Sequence, residues 1–209
     1  MHIYAFILGR KHLLSVAELC AVIGDSGEII DLGSEALVAV FDEPLADPQE
    51  SLDRLGGTIK IVEIFNEDVI SKEDIAPAAA EILIRNFKGM AGKLSYGLSI
   101  YSFAERHEMI LRKTLNSVKK ALVASNIKSR FINHNFRNLE SAAIKGEKLL
   151  QKGAEIVAIK GAKKIFVGRT IALQDFEEYS RRDYSRPELA CDPKAPKATG
   201  GQPCTRTSP

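Results

Sequence analysis

The 209-residue sequence predicts an α/β (α+β) protein built from two successive mixed units, followed by a tail that stays disordered. Three observations carry this expectation. Short apolar runs alternate with amphipathic stretches as far as Leu173. The apolar period switches between two residues and about 3.6, the marks of strands and helices respectively. Beyond Glu188 only one large aliphatic residue remains, Leu189, among four prolines and Gly200-Gly201. With 45% hydrophobic and 27% charged residues, the chain can bury a core of its own.

The first unit, residues 1–65, begins with the apolar run Ile3 to Leu8, which reads as a strand. Ser15 to Ile23 fits a helix, with Ser15 as N-cap and Glu18 three residues on as its capping-box partner. Ile29–Leu32 and Ala36–Phe41 read as strands, Pro48–Leu55 as a helix and Ile59–Phe65 as a last strand. The order β-α-β-β-α-β is that of a ferredoxin-like sandwich. Gly56-Gly57 ends the second helix and lets the chain turn.

The second unit, residues 66–175, opens on two polar clusters and a helix to about Phe87, with Gly89 and Gly92 at its exit. Leu94, Tyr96, Leu98 and Ile100 alternate as in a half-buried strand that reaches Phe103. Leu111, Leu115, Val118 and Leu122 recur at helical spacing. A strand over Lys128–Asn133, a helix over Leu139–Leu150 and strands over Glu155–Ile159 and Lys163–Leu173 complete the unit. Lys160-Gly161-Ala162 suits the turn of a hairpin between the last two. Residues 176–187 read as a linker, and 188–209 cannot bury enough apolar surface to fold.

Several chemistries are excluded by absence of their motifs. No Gly-x-Gly-x-x-Gly or Gly-x-x-x-x-Gly-Lys-Ser/Thr supports a nucleotide site, and no Gly-x-Ser-x-Gly marks a nucleophile. Cys20, Cys191 and Cys204 form no Cys-x-x-Cys pair, and the four histidines lack ligand spacing, so a metal site is not expected. His2, His12 and His107 read as surface histidines, and Glu177-Glu178 as solvated carboxylates. No membrane span is readable, and the odd cysteine count fits a reducing cytoplasm.

The net charge of +2 conceals a strong division along the chain. Residues 1–105 carry 8 basic and 17 acidic side chains, whereas residues 106–169 carry 15 basic and 4 acidic ones. A segment this basic inside an acidic protein sets up a field that draws a polyanion such as RNA. Arg106, Lys113 and Lys120 are seven residues apart on one helix face, opposite the leucines, and Arg112 and Lys119 form a second row beside them. Lys128, Arg130, Asn133, His134 and Arg137 continue this surface, together with Lys145, Lys148 and Lys152 on the next helix. Phe131, in a strand, is expected in the core; Phe136 is the better platform for an unstacked base. Lys11, Lys60 and Lys72 of the acidic part are expected to contribute less.

The runs Leu94-Ser-Tyr-Gly-Leu-Ser-Ile-Tyr101, Ser129-Arg-Phe131, Leu139-Glu-Ser-Ala-Ala143 and Val167-Gly-Arg-Thr-Ile-Ala-Leu-Gln-Asp-Phe176, with the lysine-rich helix, carry a family resemblance. So do Leu55-Gly-Gly-Thr-Ile-Lys60 and Tyr179-Ser-Arg-Arg-Asp-Tyr-Ser-Arg-Pro187. In this order they resemble the front end of THUMP-containing tRNA guanosine methyltransferases over about residues 1–187. The resemblance implies a ferredoxin-like domain followed by a THUMP domain that together hold tRNA, with THUMP taking the single-stranded acceptor end. In that family a separate Rossmann-like domain binds S-adenosylmethionine and uses an Asp/Asn-Pro-Pro-aromatic motif. Neither that motif nor a glycine-rich cofactor loop occurs here, so no cofactor is expected on this chain and S-adenosylmethionine belongs to the missing catalytic domain. After Pro187 the family pattern is lost, as expected of a truncated or frame-shifted gene end. Two alternatives stand beside this reading: a subunit that works with a separate methyltransferase chain, and a ferredoxin-like regulatory module binding a small ligand or a protein.

Overall fold

The computed structural model describes residues 1–104 and 107–175. The expectations for the linker 176–187, the tail and Arg106 therefore lie outside the described residues. Met1–Gln174 form one compact α/β unit, the fold class expected from the sequence. Its strands are β1 (His2–Leu8), β2 (Gly27–Leu32), β3 (Ala36–Phe41), β4 (Thr58–Val69), β5 (Leu94–Tyr101), β6 (Ser129–Phe131), β7 (Gly153–Lys160) and β8 (Ile165–Leu173). Its helices are α1 (His12–Ile23), α2 (Pro48–Asp53), α3 (Ile75–Phe87), α4 (His107–Ala124), α5 (Ser141–Gly146) and α6 (Leu149–Lys152).

All eight strands join one sheet in the order β2-β3-β1-β4-β8-β7-β5-β6. The first four are antiparallel to their neighbours, as a β-α-β-β-α-β sandwich requires. β4 pairs with β1 along one edge and with β8 along the other. The boundary placed between residues 65 and 66 falls inside this 12-residue strand, which continues past Phe65 to pair Val69 with Ile165. β7 and β8 form the expected hairpin, and β5 lies parallel between β7 and β6.

Alternation of side chains along the strands sorts the core into layers. Leu19 and Ile23 of α1 and Leu52 of α2 pack on Phe6, Leu37 and Ile61 of the first four strands. Ile75 and Leu83 of α3, with Leu111, Leu115, Val118 and Leu122 of α4, pack on Leu94, Leu98 and Ile156. Ile144 of α5 and Leu149 of α6 join Leu139 and Leu173 in a further cluster.

Some local expectations are corrected. α1 begins at His12, and Ser15 lies inside it, fully buried. The Ser15 hydroxyl donates to the Gly57 carbonyl at 2.8 Å, and the Glu18 carboxylate accepts from the backbone N–H groups of Gly56 and Gly57 at 2.6 and 2.8 Å. The pair that reads as a capping box thus pins the Gly-Gly turn before β4. A Cβ on Gly57 would lie 2.4 Å from the Ser15 hydroxyl, so the close approach needs glycine. β5 is buried on both sides rather than half-buried, because helices α3 and α4 cover one face and the Leu139 segment the other. The helix expected over 139–150 is two short ones, broken at Lys148, whose φ of 52° is left-handed. The strand expected over 128–133 is paired only from Ser129 to Phe131.

Candidate nucleic-acid interface

α4 organises the basic surface. Its leucine stripe is buried, and Arg112, Lys113, Lys119 and Lys120 are all exposed. Arg112 and Lys119 lie on the β6 side of the helix and Lys113 on the other. On the β6 side the Arg112 guanidinium lies 5.6 Å from the centre of the Phe136 ring, and the Lys119 ammonium 5.6 Å from that of Phe131. The rings of Phe131 and Phe136 are 6.2 Å apart, and Phe131 meets buried Tyr96 edge to face at 6.3 Å. Burial pushes the Tyr96 phenol well above its ordinary pKa, and its hydroxyl donates to the Leu115 carbonyl at 3.2 Å. Phe131, expected in the core, is only half-buried at the core's edge and shares this cluster.

Phe136 is presented by a strained turn. Asn135 and Phe136 both have positive φ, 54° and 49°, a conformation that costs a non-glycine residue about 1–3 kcal/mol. Two asparagines hold the turn in place. Asn133 donates to the carbonyls of Leu98 and Arg137, both at 2.7 Å, and accepts from the Leu98 N–H at 2.9 Å. Asn138 donates to the Ile100 carbonyl at 2.7 Å and accepts from the Ile100 N–H at 2.9 Å. β6 ends at Phe131, and these side-chain amides take over the pairing of β5 where the strand stops.

A buried ion pair anchors the far end of the same segment. The Glu155 carboxylate accepts from the Lys60 ammonium at 2.7 Å and from the hydroxyls of Ser99 and Thr170, each at 2.6 Å. Lys60 also donates to the Leu139 carbonyl at 3.0 Å, and the Leu139 N–H donates to the Ser99 hydroxyl at 3.0 Å. Burial pulls the Lys60 pKa down, but the Glu155 carboxylate outweighs it and the net direction is up. Lys60, expected to be an uninvolved lysine of the acidic part, is instead 1% exposed.

The remaining candidates are spread around this centre. Arg130 is engaged, donating through Nε to the Ser95 hydroxyl at 2.9 Å and pairing with Glu147 at 2.5 Å. His134 and Arg137 are exposed on either side of Phe136. Lys145 and Lys148 are exposed at the ends of α5 and α6, beyond Glu147. Lys113 faces the other flank of α4, where it lines a cavity of about 400 Å³ with Lys72 and Glu73. The structure therefore brings Arg112, Lys119, Phe131 and Phe136 together and leaves Lys113 on a separate surface. Asn138, Lys60 and Glu155 carry no sequence signal for these roles, since each acts through a partner 38 or more residues away; Asn133, expected on the basic surface, instead turns its amide to Leu98, 35 residues away. Among the described residues no group of His, Cys, Asp and Glu side chains is placed to hold a metal ion, and no helix is long and apolar enough to cross a membrane.

No protein-family model matches the sequence, and no curated protein matches it. Similar folds occur among solved structures. PH1313 from Pyrococcus horikoshii Ot3 aligns over 81% of this chain and 54% of its own, with 13% identity and a TM-score of 0.51. A 4-thiouridine synthetase solved with RNA and bound ATP aligns over 81% of this chain and 41% of its own, with 8% identity and a TM-score of 0.47. TrmN from Thermus thermophilus aligns over 81% of this chain and 45% of its own, with 13% identity and a TM-score of 0.43. This chain thus spans about half the length of these proteins or less. Of the three, PH1313 alone has a TM-score above 0.5, and at 13% identity that likeness shows a shared fold.

Proposed function

We propose that this chain binds RNA, with tRNA as its target, through the surface formed by α4, β6 and the Asn133–Leu139 segment. The observation that carries this reading is the pair Phe131 and Phe136, each with a cation over its ring, on a strained turn held by Asn133 and Asn138. Cation–π contacts at exposed sites are worth about 0.5–1 kcal/mol. Stacking of a base on an aromatic side chain is worth about 1–3 kcal/mol. An unpaired base can therefore displace the Arg112 guanidinium from the Phe136 ring, which frees that cation for the adjoining phosphate. Exposed His134 and Arg137 lie within reach as further donors, whereas Arg130 is already paired and serves to hold Glu147.

At the next level, the sequence motifs support assignment to a THUMP-type tRNA-modifying enzyme, an S-adenosylmethionine-dependent guanosine methyltransferase. Cofactor binding and methyl transfer would then reside in another domain or a separate subunit, and this chain would present the acceptor end of the tRNA to it. A filter-binding titration with unfractionated tRNA tests the binding reading. We expect affinity that falls steeply with salt, and a loss of about fivefold or more on Phe136→Ala, equivalent to about 1 kcal/mol. Affinity that is independent of salt, or untouched by Phe136→Ala, would overturn it.

A further inference from the structure

The flank of α4 away from Phe136 carries a second cationic surface. The cavity of about 400 Å³ beside Lys113 adjoins another of about 280 Å³, and the two share Lys72 and Glu73. The second is lined by the turn of the β7–β8 hairpin, with Lys160, Lys163 and Lys164. Together they form one groove, from the outer side of α4, past the 3-10 turn Lys72–Asp74, to the hairpin tip.

The charge in this groove is poorly balanced. Lys164 is matched by Glu67 and lies 5.2 Å from the centre of the Phe166 ring. Among the described residues, Lys113, Lys160 and Lys163 have no ion-pair partner, and Glu73 is the one carboxylate that lines the groove. Unpaired ammonium groups gathered along a concave, partly apolar wall focus a positive potential, and an incoming anion relieves their mutual repulsion. A lysine ammonium is a mobile point charge suited to a phosphate rather than to the edge of a base. The turn that carries these hairpin lysines is held in place, because Gly161 N–H donates to the Lys164 carbonyl at 2.9 Å and Asp31 of β2 accepts from the Ala162 N–H at 3.0 Å.

We infer that this groove binds the sugar-phosphate backbone of the RNA whose bases reach the aromatic pair on the opposite flank, so that the RNA strand crosses α4. The inference rests on the RNA-binding reading. A helix with its side chains is about 10–12 Å across, a short distance for a strand that places bases on one side and phosphates on the other. Lys160, Lys163 and Lys164 count toward the basic segment 106–169 but were not among its candidate contacts, and Lys72 lies outside that segment.

The test compares Lys160→Gln/Lys163→Gln with Phe136→Ala in the full chain, titrated with unfractionated tRNA at several salt concentrations. Both lysines are exposed and have no ion-pair partner among the described residues, so the double variant should keep the wild-type melting temperature. We expect its tRNA affinity to fall at least about fivefold, with a salt dependence shallower by about 1.4, at about 0.7 per single-strand phosphate contact. Phe136→Ala should lower affinity and leave the salt slope unchanged. If the double variant binds tRNA as the wild type does while Phe136→Ala is weakened, the groove inference falls and the RNA reading stands. If the double variant keeps tRNA affinity but loses affinity for AMP, the groove is a free-nucleotide site and the inference is overturned. Absence of tRNA binding by the wild type overturns both.

Discussion

The Lys60 ammonium meets the Glu155 carboxylate at 2.7 Å with both side chains out of water, and the contact joins β4 to β7 across the intervening β8. Because Lys60 also holds the Leu139 carbonyl, the first half of the chain is tied to the segment that presents Phe136. Removing one partner of a buried pair strands the other charge. Lys60→Met should therefore cost about 3–5 kcal/mol in urea unfolding, and Lys60→Met/Glu155→Leu should recover much of that loss. A cost below about 1 kcal/mol for the single change would show that Glu155 is not held as described.

The same cluster sets the alkaline limit of stability. The folded-state pKa of Lys60 is raised by Glu155 in spite of burial, and that of Tyr101 is raised by burial. A raised folded pKa gives a contribution fully present below the unfolded value and lost as pH rises through the folded one. With unfolded values near about 10.4 for lysine and about 10 for tyrosine, these groups leave stability level through neutral pH and reduce it above about pH 10. Melting temperatures between pH 8 and 11.5 should show that fall, and Tyr101→Phe should make it shallower. A decline already complete by about pH 9 would point to other groups.

Gly168 lies in β8 where that strand passes β4, and a Cβ there would sit 2.2 Å from the backbone oxygen of Glu63. Neither backbone can move without breaking the sheet, so Gly168→Ala should destabilise by about 1–3 kcal/mol. Gly146, inside α5 with open space around it, makes the contrast: Gly146→Ala should stabilise by about 0.5–1 kcal/mol. Equal effects from the two changes in thermal unfolding would contradict this reading of the β4–β8 junction.

What the sequence makes legible follows from how local each cause is. β3 and the leucine stripe of α4 are read correctly because their patterns repeat within one element. Ser15 and Glu18 have the spacing of a capping box, yet they act on Gly56 and Gly57, 38 or more residues away, which no local pattern encodes. β5 alternates as a half-buried strand should, but the second layer that buries its other face comes from Leu139, and that contact is set by tertiary structure. Phe136 and the two cationic rows are visible as residue types and spacing. That Arg112 and Lys119 face β6 while Lys113 faces the cavity shared with Lys72 and Glu73 is set by tertiary structure.

Asn133 closes the edge of β5 and fixes the turn carrying Phe136. Asn133→Ala leaves the Leu98 N–H and carbonyl without partners and should cost about 1–3 kcal/mol of stability. We also expect tRNA affinity to fall with an unchanged salt slope, because the turn loosens while every cation stays. Wild-type affinity in this variant would mean that the geometry of the turn is irrelevant to binding.

The central claim, that the α4–β6 flank holds RNA, is tested most directly by the salt dependence of tRNA affinity in Arg112→Gln/Lys119→Gln, set against Lys11→Gln/Lys88→Gln. All four cations are exposed, so neither pair should alter folding by more than a few tenths of a kcal/mol. The first pair should weaken binding about fivefold or more and flatten the salt slope by about 1.4, with the second close to wild type. Equal losses from the two pairs, or none from the first, would contradict it.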